Sequence, residues 1–342
     1  LQIGPGRDDD DVPTPGRRRR TGHRTDQEDA QGSLDHPMNL DCFMARGFVF
    51  GFLRAPLVVL GVVTLTFGLL HVAPGDPVAL LLGPTAAEGD HAAATRSLGL
   101  DQSLAEQYIR WISRAVRGDF GASIATGRPV TRMLAEAWPA TVILVGLSIA
   151  LSYLFGVGLA AAQAATRRPF LDRALSSVAV LLAAVPGYWL AFLLVMVFSY
   201  SLGWFPAFGA AGIDAEFLSP GNRFVDRLAH LALPLATLTL IGIGTVARYA
   251  RGSLLSVRDE PFLLTARAKG ITSARLMIRH HLRNGLVPVV ALLGLSLPAL
   301  FSGAVFVEGV FAWPGVGQLL IQGVQARDYP VVMAAATISA IL

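Results

Sequence analysis

The chain of 342 residues is 53% hydrophobic and only 15% charged, with a net charge of +4, whereas an ordinary soluble domain carries about 25% charged residues. Its apolar residues gather in runs long enough to cross a bilayer, which takes roughly 20 residues of helix. A single soluble core is excluded, and so is an open sheet, whose edge lipid would leave unpaired. The lone cysteine, Cys42, rules out an intrachain disulfide or a cysteine metal cluster.

Residues 1–43 set an acidic run (Asp8 to Asp11) and a basic run (Arg17 to Arg20) among Pro and Gly, with almost nothing apolar. This composition predicts a disordered tail, with a polybasic lipid-surface patch at Arg17 to Arg20 as the alternative. The chain opens on Leu1, and Met38 and Met44 stand just ahead of the first apolar run, so a start at one of them is the expectation. That run has no small-residue cleavage site and does not read as a secretory signal.

The first transmembrane helix is predicted within 44–73, with its apolar stretch from Ala55 to Ala73. Residues 74–137 mix Gly, Pro and charge and form the expected extracytoplasmic subdomain. It holds one amphipathic helix, in which Leu104, Tyr108, Trp111 and Ile112 recur at helical spacing. The remaining transmembrane domain, 138–342, starts with a span at about 139–165. A third span, 174–205, carries a kink at Pro186-Gly187, and a fourth follows at 228–247. The fifth is expected at 286–311. The last apolar run, from Tyr329 to Leu342, reaches roughly 21 Å of a core about 30 Å thick, so a sixth helix is predicted as truncated.

Two arginine-rich loops fix the expected orientation. TRRPFLDR holds Arg167, Arg168 and Arg173, and the loop at about 248–285 holds seven arginines and Lys269, the one lysine of the chain. Both should face the cytoplasm, because basic residues resist translocation. The N-terminus then also lies inside, and 74–138, 206–227 and 312–328 lie outside. Most arginines beyond the tail are accounted for in this way, so the net charge gives no reason to expect a nucleic-acid partner.

The long cytoplasmic loop contains Thr265, Ala266, Arg267, Ala268, Lys269 and Gly270. Its small residues would let a partner approach the backbone, and its cations would fix orientation by charge pairing. The plain alternative is a positive-inside loop. No Gly-x-x-x-x-Gly-Lys-Ser/Thr phosphate loop is present, so the chain is not expected to hydrolyse ATP or to bind a cofactor. No metal-ligand cluster or nucleophile elbow is found.

A series of motifs runs in order over about 46–342: APGDP (Ala73 to Pro77), LGLD (Leu98 to Asp101), QYIRW (Gln107 to Trp111), RGDFGAS (Arg117 to Ser123), TARAKG (Thr265 to Gly270), HHLRNGLVP (His280 to Pro288), EGVFAWPGVG (Glu308 to Gly317) and RDYP (Arg327 to Pro330). In these the chain resembles the binding-protein-dependent permeases of ABC importers, and within them the dipeptide and oligopeptide branch. The resemblance implies an all-α, six-helix type I importer permease in a bacterial cytoplasmic membrane. It also implies four partners beyond the bilayer: a second permease subunit forming a heterodimer, two ABC ATPase subunits and an extracytoplasmic peptide-binding protein. TARAKG would then be the coupling helix seated on an ATPase. Leu264 stands where the general motif has glutamate, and His280 to Asn284 follow the peptide-type ending. Nickel or glutathione as cargo stays open. An ion-coupled secondary transporter is the rival from another class, and it should show carboxylates inside spans or inverted repeats.

Glu308 follows a long apolar run and is assigned with Pro314, Gly315 and Gly317 to a cap of the WPGVG turn, with an outer gate as the alternative. Asp76 and Asp119 are expected to form local turns. His71 and His230, near span ends, are expected to pack rather than to relay protons. Gly146, Gly156, Gly158, Gly242, Gly244, Gly294 and Gly303 suit close helix packing, and Pro186, Pro234, Pro288 and Pro298 suit bending. No substrate-contact residue can be named from these patterns.

Overall fold

A computed structural model describes residues 40–341 apart from 84, 85, 167 and 259, with side chains from 54 onward except those of 267, 273, 274, 299 and 300. Most of the expected tail, including Arg17 to Arg20, lies outside the described residues. Helix α1 (Leu40–Val72) starts four residues ahead of the expected boundary and carries the first apolar run. The chain divides within it into two compact units, 1–55 and 56–342, and the second is described here.

Beyond α1, short helices are set by their caps. The Asp76 carboxylate accepts from the Val78 amide at 2.8 Å and opens α2 (Pro77–Leu82), with Pro77 at the position where a missing N–H costs nothing. Helix α3 (Glu88–Leu98) stops at Gly99, whose φ of +69° is the left-handed geometry of a helix end. A reciprocal capping box between Ser103 and Glu106 starts α4 (Leu104–Ala115), the predicted amphipathic helix.

Helix α5 (Val130–Ala165) is continuous through the expected boundary at 137/138 and begins nine residues before Pro139. Its first turns are held by packing: Val130, Leu134 and Ala137 are buried with Val316, Val331, Ala334 and Ala335. At about 1.5 Å per residue, its 36 residues span some 54 Å and outrun the bilayer core.

Instead of the expected kink, the third span is broken. Helices α6 (Pro169–Ala184) and α7 (Gly187–Leu194, continued by π-helical turns over Val195–Ser201) meet at 102°. The cause is local, because Pro186 forces Val185 out of the helical region. Both residues are extended, with ψ of 128° and 133°, so the chain turns a corner there.

Helix α8 (Pro220–Ser256) is the central element and packs against α5, α6 and α7. Its contacts depend on missing side chains. A Cβ on Gly156 of α5 would lie 2.8 Å from Val246 Cβ, and one on Gly244 would lie 2.5 Å from the Ala183 amide of α6. Gly242 backs onto Ser152, whose hydroxyl donates to the Thr239 carbonyl at 3.1 Å. Of the glycines expected to pack, Gly146, Gly158, Gly294 and Gly303 meet nothing within 4 Å. Close approach is therefore concentrated at three of the seven.

The loop after α8 folds into α9 (Pro261–Ala268), α10 (Ser273–Leu276) and π-helical turns over Met277–Leu282. Helix α11 (Val287–Val310) packs against α8 and bends between Pro298 and Phe301. It is followed by α12 (Val316–Gln325) and the 13-residue α13 (Tyr329–Ile341). By length and composition α1, α5 and α8 can each cross a membrane, the α6–α7 pair and the bent α11 can each make a span, and α13 is a shorter apolar helix.

Candidate functional site

The loop between α8 and α11 is a small folded unit with one inward and one outward side. Leu263 and Ala266, 0% and 6% exposed, close with Leu276 and Ile271 into an apolar cluster of their own. Thr265 donates its hydroxyl to the Pro261 carbonyl at 2.9 Å, and the Lys269 and Ile271 amides donate to the carbonyls of Thr265 and Ala266. Gly270 ends the helix at φ +76°, and nothing lies within 4 Å of where its Cβ would be. Ala268, Lys269 and Gly270 are exposed. Ala266, expected among the small residues that let a partner approach the backbone, packs inward, so its small size also serves the loop's own core. The Arg267 side chain lies outside those described.

Two contacts, one buried and one half-buried, tie this unit to α8. His281 Nε2 lies 2.6 Å from the Leu254 carbonyl, and Ser253 donates its hydroxyl to the Gly285 carbonyl. A Cβ on Gly285 would lie 2.8 Å from a Leu254 methyl. On α8 itself, Arg251 forks onto Asp172 of the neighbouring α6 at 2.8 and 3.3 Å.

At the far end of α11, Glu308 is fully buried. Its carboxylate accepts from the Thr141 hydroxyl of α5 at 2.7 Å, the Gly317 amide at 2.7 Å and the Gln318 amide at 3.3 Å. Those amides open α12, where an acidic group is favoured by unpaired N–H donors and the helix dipole. Thr141 Oγ1 also accepts from the Val316 amide at 2.8 Å, and the Trp313 indole donates to the Ala140 carbonyl at 3.0 Å. Pro314 and Gly315 carry the chain around the carboxylate, and a Cβ on Gly315 or Gly317 would run into it. Glu308 therefore caps α12 and joins α5, α11 and α12. Thr141 was not singled out from sequence, since one hydroxyl in an apolar span is a weak signal.

The RDYP and RGDFGAS motifs meet in space. Asp328 is 2% exposed and accepts from the Ser123 hydroxyl and from the Ile124 and Ala125 amides at 3.1 and 3.2 Å. Asp119 accepts from the Gly121 amide at 2.9 Å and pairs with Arg114 at 2.8 Å, and the guanidinium holds its carboxyl below the usual carboxylate range. Asp76 pairs with His91 at 2.6 Å. Burial pushes its carboxyl up, but the Val78 amide and His91 outweigh that and hold it below its usual value.

His71 packs on Phe67 and Tyr329, with Nδ1 2.8 Å from the Phe67 carbonyl and Nε2 3.3 Å from Gln107 Oε1. His230 has a carboxylate that the sequence expectation overlooked. Asp226 stands one turn earlier, with Oδ1 3.4 Å from His230 Nδ1 and Oδ2 accepting from the Gly212 amide at 2.8 Å. Among the described residues, no three His, Cys, Asp or Glu side chains are grouped to hold a metal ion.

A bundle of apolar helices, two of them broken, with a folded polar loop hung from its central member defines a polytopic membrane permease. The chain belongs to the family of binding-protein-dependent transport system inner membrane components, the permeases of ABC importers, whose model matches residues 152–342. The N-terminal model of the same transport systems matches 44–145. Its all-α fold is that of a type I importer permease. The oligopeptide transport system permease protein AppB of Bacillus subtilis is 36% identical over 83% of this chain and 89% of its own length. The glutathione transport system permease protein GsiC of Escherichia coli K12 is 37% identical over 79% of this chain and 83% of its own. A solved amino acid ABC transporter superposes on 61% of this chain and 86% of its own, at 18% identity and a TM-score of 0.46.

Proposed function

We propose that this chain is one of two transmembrane subunits of an ATP-driven importer of short peptides, which an extracytoplasmic binding protein delivers. The observation that carries the proposal is the loop unit after α8. Its apolar residues close on themselves, while Ala268, Lys269 and Gly270 stay exposed at its tip. Such a surface suits docking on an ATPase subunit. The N-terminus and this loop lie in the cytoplasm, and ATP hydrolysis belongs to two partner ATPases. Helix α8 carries their movement to the spans through the Leu254 and Ser253 contacts.

For cargo, AppB and GsiC are named for oligopeptide and glutathione transport, and both ligands are peptides. That favours a short peptide over a nickel chelate, with glutathione as the second reading. The test is uptake into proteoliposomes holding both permeases and both ATPases, supplied with the binding protein and either a dipeptide or glutathione. Vanadate-sensitive accumulation of a peptide is expected. Accumulation that ignores vanadate and follows an ion gradient would sink the proposal.

A further inference from the structure

A cavity of about 310 Å³ lies beside α4, apart from both the coupling loop and the Glu308 cap. The outer end of α1, the turn at 97–100, one face of α4, the turn at 119–124 and the start of α13 enclose it. Three of these five segments lie outside the spans, so the cavity is built mainly by the external region. Its volume is at the lower end of the range for small-molecule sites, roughly 300–1,000 Å³.

The walls divide by chemistry. Phe67, Trp111, Phe120 and Met333 present apolar surface, with the Trp111 and Phe120 rings 6.3 Å apart. Set against them are two guanidinium groups, Arg110 and Arg114, and a single carboxylate, Asp119. Asp119 is already bonded to Arg114 and to the Gly121 amide. Arg110 bonds the neutral amide of Gln102, and nearby Glu106 is engaged in the Ser103 capping box. The lining thus has a net positive charge beside aromatic surface. That combination fits a ligand with one carboxylate and one apolar side chain, because guanidinium groups bind carboxylates with two parallel hydrogen bonds.

We propose that this cavity is an outer subsite for the C-terminal end of a short peptide, the carboxylate at Arg110 and Arg114 and the last side chain among the rings. The subsite rests on the peptide reading above and adds to it a place where the permease itself engages cargo before the path between the spans. A phospholipid fits less well, since two acyl chains exceed this volume and most of the walls lie outside the membrane.

The test uses the complete permease–ATPase complex in nanodiscs, without binding protein, and equilibrium dialysis of labelled Ala-Phe, its C-terminal amide and glutathione. At least one free acid should bind saturably, and Ala-Phe at least tenfold more tightly than its amide. Arg110→Gln with Arg114→Gln should abolish that difference, and Arg96→Gln, an exposed arginine on α3 that is not among the lining residues, should preserve it. If the double variant loses its melting transition, Arg110→Gln alone is measured, because its partner is a neutral surface amide. Equal binding of acid and amide, no saturable binding, or binding unchanged in the variants would overturn the subsite. So would phosphatidylglycerol that co-purifies with the wild type and is lost from the variants. Uptake of the same peptides in the complete system separates the two levels: uptake without acid-selective binding removes the subsite only, and no peptide uptake removes the peptide reading as well.

Discussion

Ser123 donates its hydroxyl to the Asp328 carboxylate across 205 positions of sequence, and the amides of Ile124 and Ala125 converge on the same group. The turn before α5 is thereby latched to the residue before α13. Hydrogen bonds to a charged group contribute about 1.5–3 kcal/mol each. Asp328→Ala is therefore expected to cost at least about 3 kcal/mol locally and to loosen residues 121–129. Proteinase K added to the detergent-solubilised protein should then cut within 121–129 faster than in the wild type, with Asp328→Asn in between. Equal cutting rates in all three proteins would count against the latch.

The Glu308 cap leaves no room for added atoms. A Cβ on Gly317 would lie 2.5 Å from Val305 Cα and 2.8 Å from Glu308 Oε2, so Gly317→Ala must push α12 away from α11. We expect a loss of about 3 kcal/mol, in line with overpacked buried sites, read as a lower melting temperature in detergent. Gly303→Ala on α11 meets nothing within 4 Å and should be neutral or stabilising by roughly 0.5–1 kcal/mol. Similar melting of the two variants would show that the carboxylate cradle is not tight.

Substitutions in the loop should separate docking from folding. Gly270→Arg adds bulk at an exposed tip of left-handed backbone and is expected to abolish ATPase co-purification while costing only the roughly 1–2 kcal/mol of local strain that a non-glycine residue carries there. Ala266→Arg forces a charge into the Leu263–Leu276 cluster and should unfold the loop, seen as faster amide exchange over 261–276. If Gly270→Arg retained its ATPases at wild-type stoichiometry, the tip would not be the contact.

Asp76 gives a pH dependence with a definite sign. Its folded pKa lies below the ordinary aspartate value of 3.8, so the contribution is present above that value and is lost as pH falls through the lower folded pKa. Amide protection of α2 should hold down to about pH 4 and decline below it. In Asp76→Asn it should be weaker at neutral pH and flat across the acid range. The group is partly exposed, so the difference should be under about 1 kcal/mol. A protection profile in which the two proteins fall together with pH would exclude Asp76 as its source.

The number of apolar runs, the amphipathic α4 and the arginine-rich loop after α8 were legible in sequence, because each is written as a local periodicity or a charge pattern. The corner at Val185-Pro186 was visible only as a proline, and the 102° turn depends on two successive extended residues that a hydropathy profile does not register. The span expected from about Pro139 lies inside a longer helix, α5, that begins at Val130. What extends the helix to Val130 is burial against Val316 and Val331, far away in the chain. The inward side of Ala266 and the partnership of Asp328 with Ser123 were hidden for the same reason. Small size and charge are legible locally, whereas the contact that uses them is not.

Glycines let α5 and α6 meet α8 with backbone and short side chains in contact, at Gly156, Gly242 and Gly244. Such joints contain no long side chains that can change rotamer and take up a displacement. A force applied at the Leu254 and Ser253 attachment of the loop therefore cannot dissipate in these joints. The three helices are therefore expected to move together along the roughly 55 Å of α8, with the corner at Val185-Pro186 as the place where the chain can give.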